Sequence, residues 1–242
     1  MTTSLLRAEG LGVSFGGIHA VQAVDFELQA GEIRCLIGPN GAGKSTFFKL
    51  LTGQLTPTRG VCHFKGQKIS GLPPHRVARL GIGIKTQNPS VFDGLDVREN
   101  LRLAASRSRT PVESEEIVNQ VLQKTRLRDA ASRIVGDLAH GQRQWVELGM
   151  ILASRPELVL LDEPAAGMTH QETRTTAELI KEINKHSTVV VVEHDMEFIE
   201  MIAGTVTVFN RGAVLAEGTF EDVTSNPLVR EAYLGGQEKK NA

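Results

Sequence analysis

Gly38-Pro39-Asn40-Gly41-Ala42-Gly43-Lys44-Ser45-Thr46 follows an apolar run, Ile33–Ile37, and precedes a helical apolar pattern through Phe47, Phe48, Leu50 and Leu51 that ends at Gly53. The order is strand, glycine-rich loop, helix, and the loop satisfies the phosphate-binding pattern Gly-x4-Gly-Lys-Ser/Thr. Glycines at 38, 41 and 43 let backbone N–H groups turn toward an anion without Cβ obstruction, and the following helix adds its positive N-terminal end. Lys44 is expected to reach the β- and γ-phosphates of a nucleotide and Ser45 to ligate Mg2+. The stretch predicts an α/β fold built around residues 38–46.

A second stretch completes that site. Leu158-Val-Leu-Leu-Asp162-Glu163 runs four aliphatic residues into two adjacent carboxylates, which places Asp162 at the carboxyl end of a buried strand, where open α/β sheets bind ligands. Asp162 is then the outer ligand to Mg2+. Glu163 is placed to orient or deprotonate an attacking water, since phosphoryl transfer needs mainly positioning and charge neutralisation. Without the glycine-rich loop the same residues would read as a strand ending at an acidic surface.

Residues 5 to about 64 read as short alternating strands, 24–28 among them, punctuated by Gly10, Gly12, Gly16, Gly17 and Gly31. Residues 97–133 show helical spacing through Leu101, Leu103 and Ala104 and again through Ile117, Val118, Val121 and Leu122, with Pro111 and Gly136 as breakers. They predict a helical subdomain over about 88–137 inserted in the core. From Gly141 onward helices alternate with the strands 158–161 and Thr188–Val192, which predicts a mostly parallel sheet covered on both faces. Residues 1–236 are expected to form one domain and 237–242 a disordered tail.

The 242 residues are 40% hydrophobic and 23% charged, an ordinary globular composition. Lys and Arg total 27 against 28 Asp and Glu, so no global positive field is present to hold a nucleic acid. Arg102, Arg107 and Arg109 read as a solvated helix face and loop. Cys35 and Cys62 lack zinc-site spacing and sit in apolar runs, as inert core thiols do. The amino-terminal residues read as no leader and no run reads as a membrane span, so membrane contact is expected to go through another protein.

Leu138-Ala139-His140-Gly141-Gln142 resembles the signature Leu-Ser-Gly-Gly-Gln of the ATP-binding subunits of ABC transporters, and the resemblance extends over nearly the whole chain. It implies a P-loop NTPase core with a mostly parallel sheet, an N-terminal antiparallel β subdomain and an inserted α-helical subdomain, with ATP and Mg2+ as cofactors. Phe15, in Val-Ser-Phe-Gly-Gly, resembles the aromatic that stacks on adenine, although a lone strand aromatic also suits a core. Gln87, after Ile82–Lys85, resembles the glutamine that senses the γ-phosphate, ligates Mg2+ and reaches the membrane partner. His194, directly after Thr188-Val-Val-Val-Val-Glu193, resembles the switch histidine. Glu163, His194 and Gln87 thus form the expected catalytic set. In this family two ATPase subunits close head to tail, so that each ATP lies between one chain's residues 38–46 and the other's 138–142. A permease helix is expected around Gln87 to Phe92, where Pro89, Val91 and Phe92 are apolar, although local core packing suits Val91 and Phe92 equally.

Within the family, Trp145, Glu147, Leu148 and Gly149, the run Asp162-Glu-Pro-Ala-Ala-Gly-Met168 and the ending Glu-Gly-Thr-Phe-Glu-Asp-Val223 resemble importers of branched-chain amino acids and urea. The run Gln142-Arg-Gln-Trp-Val-Glu-Leu-Gly-Met150 resembles the urea branch. The implied partners are a second, homologous but different ATPase chain, transmembrane permease subunits and, indirectly, an extracytoplasmic solute-binding protein, with no nucleic acid. The implied location is cytoplasmic, peripheral on the inner face of the membrane. Ala139 and His140 depart from the signature, Thr86 stands where an aromatic often precedes the Gln, and residues 165–168 lack an Asp often found there. Two rivals stay open: a soluble ATPase of the same fold, which usually joins two such domains or inserts coiled coils, and a binding-only ATP switch. Glu163 and His194 argue against the switch and Ala139 for it.

Overall fold

Two twelve-residue strands, β1 (Ser4–Phe15) and β2 (Ile18–Gln29), pair antiparallel at the start of the chain. They correct the expectation of short strands. Gly10 and Gly12 do not end β1 but lie where its register shifts against its neighbours, and such bulges let one strand continue past an extra residue. The computed structural model describes residues 4–87, 90–106 and 110–234, so the expectations for Pro89, Arg107, Arg109 and the tail 237–242 fall outside the described residues.

The chain continues through β3 (Ile33–Ile37), α1 (Lys44–Leu51), β4 (Arg59–Phe64), β5 (Gln67–Lys68), α2 (Pro74–Arg79) and β6 (Ile82–Lys85). Next come α3 (Val97–Ala105), α4 (Pro111–Lys124), α5 (His140–Ser154), β7 (Leu158–Asp162), α6 (His170–Asn184), β8 (Thr188–Val192) and α7 (Met196–Ile202). The end is β9 (Thr205–Asn210), β10 (Ala213–Gly218), α8 (Phe220–Ser225) and α9 (Pro227–Leu234). Pro111, read as a breaker, opens α4 instead: it lacks the N–H that a first-turn residue does not need, and Thr110 and Glu113 form a capping box around it.

Strands β2, β1, β4 and β5 form an antiparallel sheet, and a second sheet runs β10-β9-β3-β8-β7-β6, parallel except for its β9–β10 edge. The central strands are apolar on both faces because both are covered. Val189, Val191, Val159 and Leu161 join a core with α3 to α7, while Val190, Val192, Leu158 and Leu160 join one with α1 and the antiparallel sheet. Cys35 and Cys62 are buried free thiols, and burial pushes both up to about 12, so neither is a nucleophile near neutral pH.

Candidate functional site

Parallel register brings four strand ends to one edge of the sheet. Leu36 of β3 lies opposite Val192 of β8, Asp162 of β7 opposite Val192, and Lys85 of β6 opposite Leu161. The segments leaving these strands are thereby set side by side: the loop from Gly38, then Glu193 and His194, then Glu163, then Gln87.

The loop is closely supported. A Cβ at Gly38 would lie 2.2 Å from the Phe209 carbonyl oxygen, and one at Gly43 would lie 2.6 Å from that of Ala20. Both residues also have positive φ, at 148° and 102°, so only glycine serves there. Residues 40–46 floor a cavity of about 550 Å3 whose walls include Ala20 and Gln22 of β2, Glu163, and the β9–β10 turn at Arg211 and Gly212. The turn is tied to the loop and to β2 by hydrogen bonds from Gly212 N to Ala42 O at 2.8 Å and from Gln22 N to Gly212 O at 2.6 Å. Lys44 donates to the carbonyls of Gly38 at 2.6 Å and Pro39 at 3.1 Å. Burial lowers its pKa, while Glu163 and Asp162 pull it back up.

Ser45, Gln87, Asp162 and Glu163 border a smaller adjoining cavity of about 180 Å3. Burial raises the Asp162 carboxyl and the Glu163 charge beside it raises it further. Glu163 occupies left-handed backbone, φ 46°, and its N–H bonds to Val192 O at 2.9 Å. One of its carboxylate oxygens accepts from Gln87 Nε2 at 3.1 Å and the other lies 3.6 Å from His194 Nδ1. Glu193, absent from the sequence reading of the site, is buried and accepts from the N–H groups of Ala165, His194 and Asp195. Burial raises its carboxyl and those donors lower it. These residues suit a magnesium nucleotide. A hydroxyl and a carboxylate supply hard oxygen donors where like charges are crowded, and Mg2+ typically takes one or two carboxylates plus substrate phosphates. No cluster of three His, Cys, Asp or Glu able to hold a metal by itself occurs among the described residues.

A model of the ABC transporter family matches residues 21–166. The chain belongs to that family. A second family model, of the branched-chain amino acid ATP-binding cassette transporter, matches residues 213–239. The chain is 37% identical to the high-affinity branched-chain amino acid transport ATP-binding protein BraF of Pseudomonas aeruginosa, over 97% of this chain and 99% of that one. It is 38% identical to LivG of Escherichia coli K12, a protein of the same description, with the same coverage. Its fold is similar to the ADP conformation of MJ1267, an ATP-binding cassette of an ABC transporter, at a TM-score of 0.83, 28% identity and coverage of 97% and 100%. It therefore sits in the branched-chain amino acid importer branch, as an ATPase subunit using ATP and Mg2+. Membership implies a permease partner and a second ATPase subunit. No described helix is long and apolar enough to cross a membrane.

Residues 138–142, which resemble the ABC signature, lie at the start of α5 rather than at a strand end. Leu138 is buried in the core, and Ala139 and His140 are exposed at the start of α5. A Cβ at Gly141 would lie 2.4 Å from a Glu172 carboxylate oxygen, which explains the glycine. The half-buried Gln142 comes next, on the first turn of α5. His140 Nε2 lies 3.3 Å from Ala166 O and 3.0 Å from Gln144 Nε2, tying the segment to the loop after Glu163. Phe15 is 48% exposed, against the core alternative, but the cavity wall nearest it is Ile18 and His19 of β2. Sequence reading missed those two residues and the Arg211–Gly212 turn. An exposed Ile18 beside a glycine pair was the available signal for the former.

Proposed function

We propose that this chain is the ATPase of an importer of small polar solutes, binding Mg-ATP at residues 38–46 and using Glu163 as its catalytic carboxylate. The observation that carries the reading is the convergence on Glu163, whose carboxylate accepts from Gln87 on one side and has His194 3.6 Å away on the other. Lys44 exchanges its carbonyl contacts for the outer phosphates, Phe15 flanks the adenine, and Ser45 and Asp162, joined by Gln87, hold the metal. Mg2+ would supply neutralisation of developing phosphate charge. Glu163 receives the water proton or orients the water, and His194 and Gln87 fix where it does so. Residues 138–142 face the ATP held by a second, homologous but different ATPase chain, and residues near Phe92 receive the permease.

In this reading the chain is cytoplasmic, peripheral on the inner membrane face, and served by an extracytoplasmic solute-binding protein. Branched-chain amino acids are the solute class suggested by the relatives' names, and the run from Gln142 to Met150 keeps urea or an amide as the alternative. Phosphate release by the purified chain, alone and with its permease, tests the assignment. Stimulation by the permease is expected, and Lys44→Ala should abolish nucleotide binding or hydrolysis because the cation opposing the phosphates is lost. Unchanged turnover in Lys44→Ala would overturn the loop assignment.

A further inference from the structure

Beneath the catalytic edge lies an ion pair that the hydrolysis scheme does not use. Lys85, the last residue of β6, is fully buried, and Glu147 of α5 is 3% exposed, with Nζ and Oε2 3.8 Å apart. Glu147 Oε1 accepts from Ser90 N–H at 2.8 Å, whereas Oε2 accepts no hydrogen bond from a described residue. Lys85 Nζ donates to Thr86 O at 3.3 Å, and the residue stands opposite Leu161, next to Asp162, so that the charges of Asp162, Glu193 and Glu163 also act on it. Burial raises the Glu147 carboxyl to about 7 and lowers the Lys85 ammonium. A buried pair this loose is a poor source of stability, since apolar or neutral replacements of such pairs are often neutral or stabilising.

We propose that Lys85 and Glu147 are positioning residues that lock the Gln87 loop to the signature helix, so that a change of charge at Asp162 and Glu163 reaches residues 138–142. The ammonium is shared between Glu147 and the carboxylates of the catalytic edge. When the Asp162 charge is taken up by bound Mg2+, Glu147 becomes the ammonium's stronger partner and α5 is drawn toward β6. Ser90 moves with it, because the same carboxylate holds its N–H. The inference rests on the ATPase reading above and adds the route by which that site is heard at the signature.

The test compares the full wild-type chain with Lys85→Arg, Lys85→Met and the double variant Lys85→Met/Glu147→Gln, which keeps the acceptor for Ser90 and restores charge balance. The double variant is expected to melt at or above the wild-type temperature and to bind ATP normally. Its kcat with permease should nonetheless fall about 10-fold or more, within the usual range of coupling between sites, and Lys85→Arg should retain most of the rate. Amide hydrogen exchange with Mg2+ and a non-hydrolysable ATP analogue supplies a readout independent of turnover. In wild type, peptides bearing Gln87 and peptides bearing His140 should slow together, whereas in the double variant only the former should respond. Wild-type kcat in the double variant, a loss that tracks melting temperature, or joint exchange responses without the pair would overturn the proposal. Absence of hydrolysis by the wild-type chain would overturn the ATPase reading instead, and the exchange arm would still decide the pair.

Discussion

Ala139 is the N-cap of α5, in extended backbone at φ −59° and ψ 153°, and gives that helix no side-chain cap. A serine there has two consequences that separate cleanly. In the isolated chain its hydroxyl can accept from the first-turn N–H groups, worth about 1 kcal/mol, which is a rise in Tm of about 2–4 °C for a chain of this size. In the proposed pair the same hydroxyl would face the partner's ATP, where a hydrogen bond to a charged group of roughly 1.5–3 kcal/mol would strengthen closure about tenfold to a hundredfold. Ala139→Ser is therefore expected to raise both Tm and turnover at the partner's ATP, measured in a heterodimer whose other site is disabled. A Tm gain without a turnover gain would show that the hydroxyl is replaced by His140 or never limiting. At this scale the sequence was most legible: Lys44, Ser45, Asp162 and Glu163 stand in short local patterns. The pairing of Lys85 with Glu147 was not legible: Glu147 stood out only within a resemblance, and nothing links it to a single Lys until the fold buries the two together.

Between elements, the segment after β6 presents Phe92 to solvent while holding its backbone. Buried Asn100 of α3 accepts from Phe92 N–H at 2.8 Å and donates to its carbonyl at 3.0 Å, and the ring is 54% exposed. Val91 packs partly on the core instead, so core packing accounts for Val91 and leaves Phe92 exposed for the proposed docking. Phe92→Asp keeps the Asn100 clamp and should reduce recovery of the chain with permease-containing membranes while leaving ATP binding intact. Loss of both together would mark Phe92 as structural and remove the docking surface. Strand and helix order was readable from alternation and from aliphatic runs. The length of β1 and β2 was not, because a bulge glycine and a turn glycine are the same letter. The contact of the β9–β10 turn with the phosphate loop was hidden for a different reason: Gly212 and Ala42 meet only after the parallel sheet is assembled.

Across the whole molecule, the ends of four parallel strands lead into the loop from Gly38, Glu193 and His194, Asp162 and Glu163, and Gln87, while residues 138–142 lie at the start of α5. In the proposed function that placement would give one chain half of each of two sites and would make ATP binding and association with a second subunit a single event. Register, more than any one residue, produces this arrangement, and register is what a sequence states least directly. In the proposed function Glu163 drives hydrolysis, and hydrolysis, not ATP binding, reopens the closed pair of ATPase subunits. The most direct measurement is phosphate release by Glu163→Gln beside wild type, with bound ATP and molecular mass monitored in the same samples. Retained ATP binding, hydrolysis slowed by at least ~100-fold, the usual scale for losing a positioned base, and accumulation of an ATP-bound dimer are expected. Wild-type turnover, or a monomer with ATP bound beside a wild type that dimerises, would contradict the account.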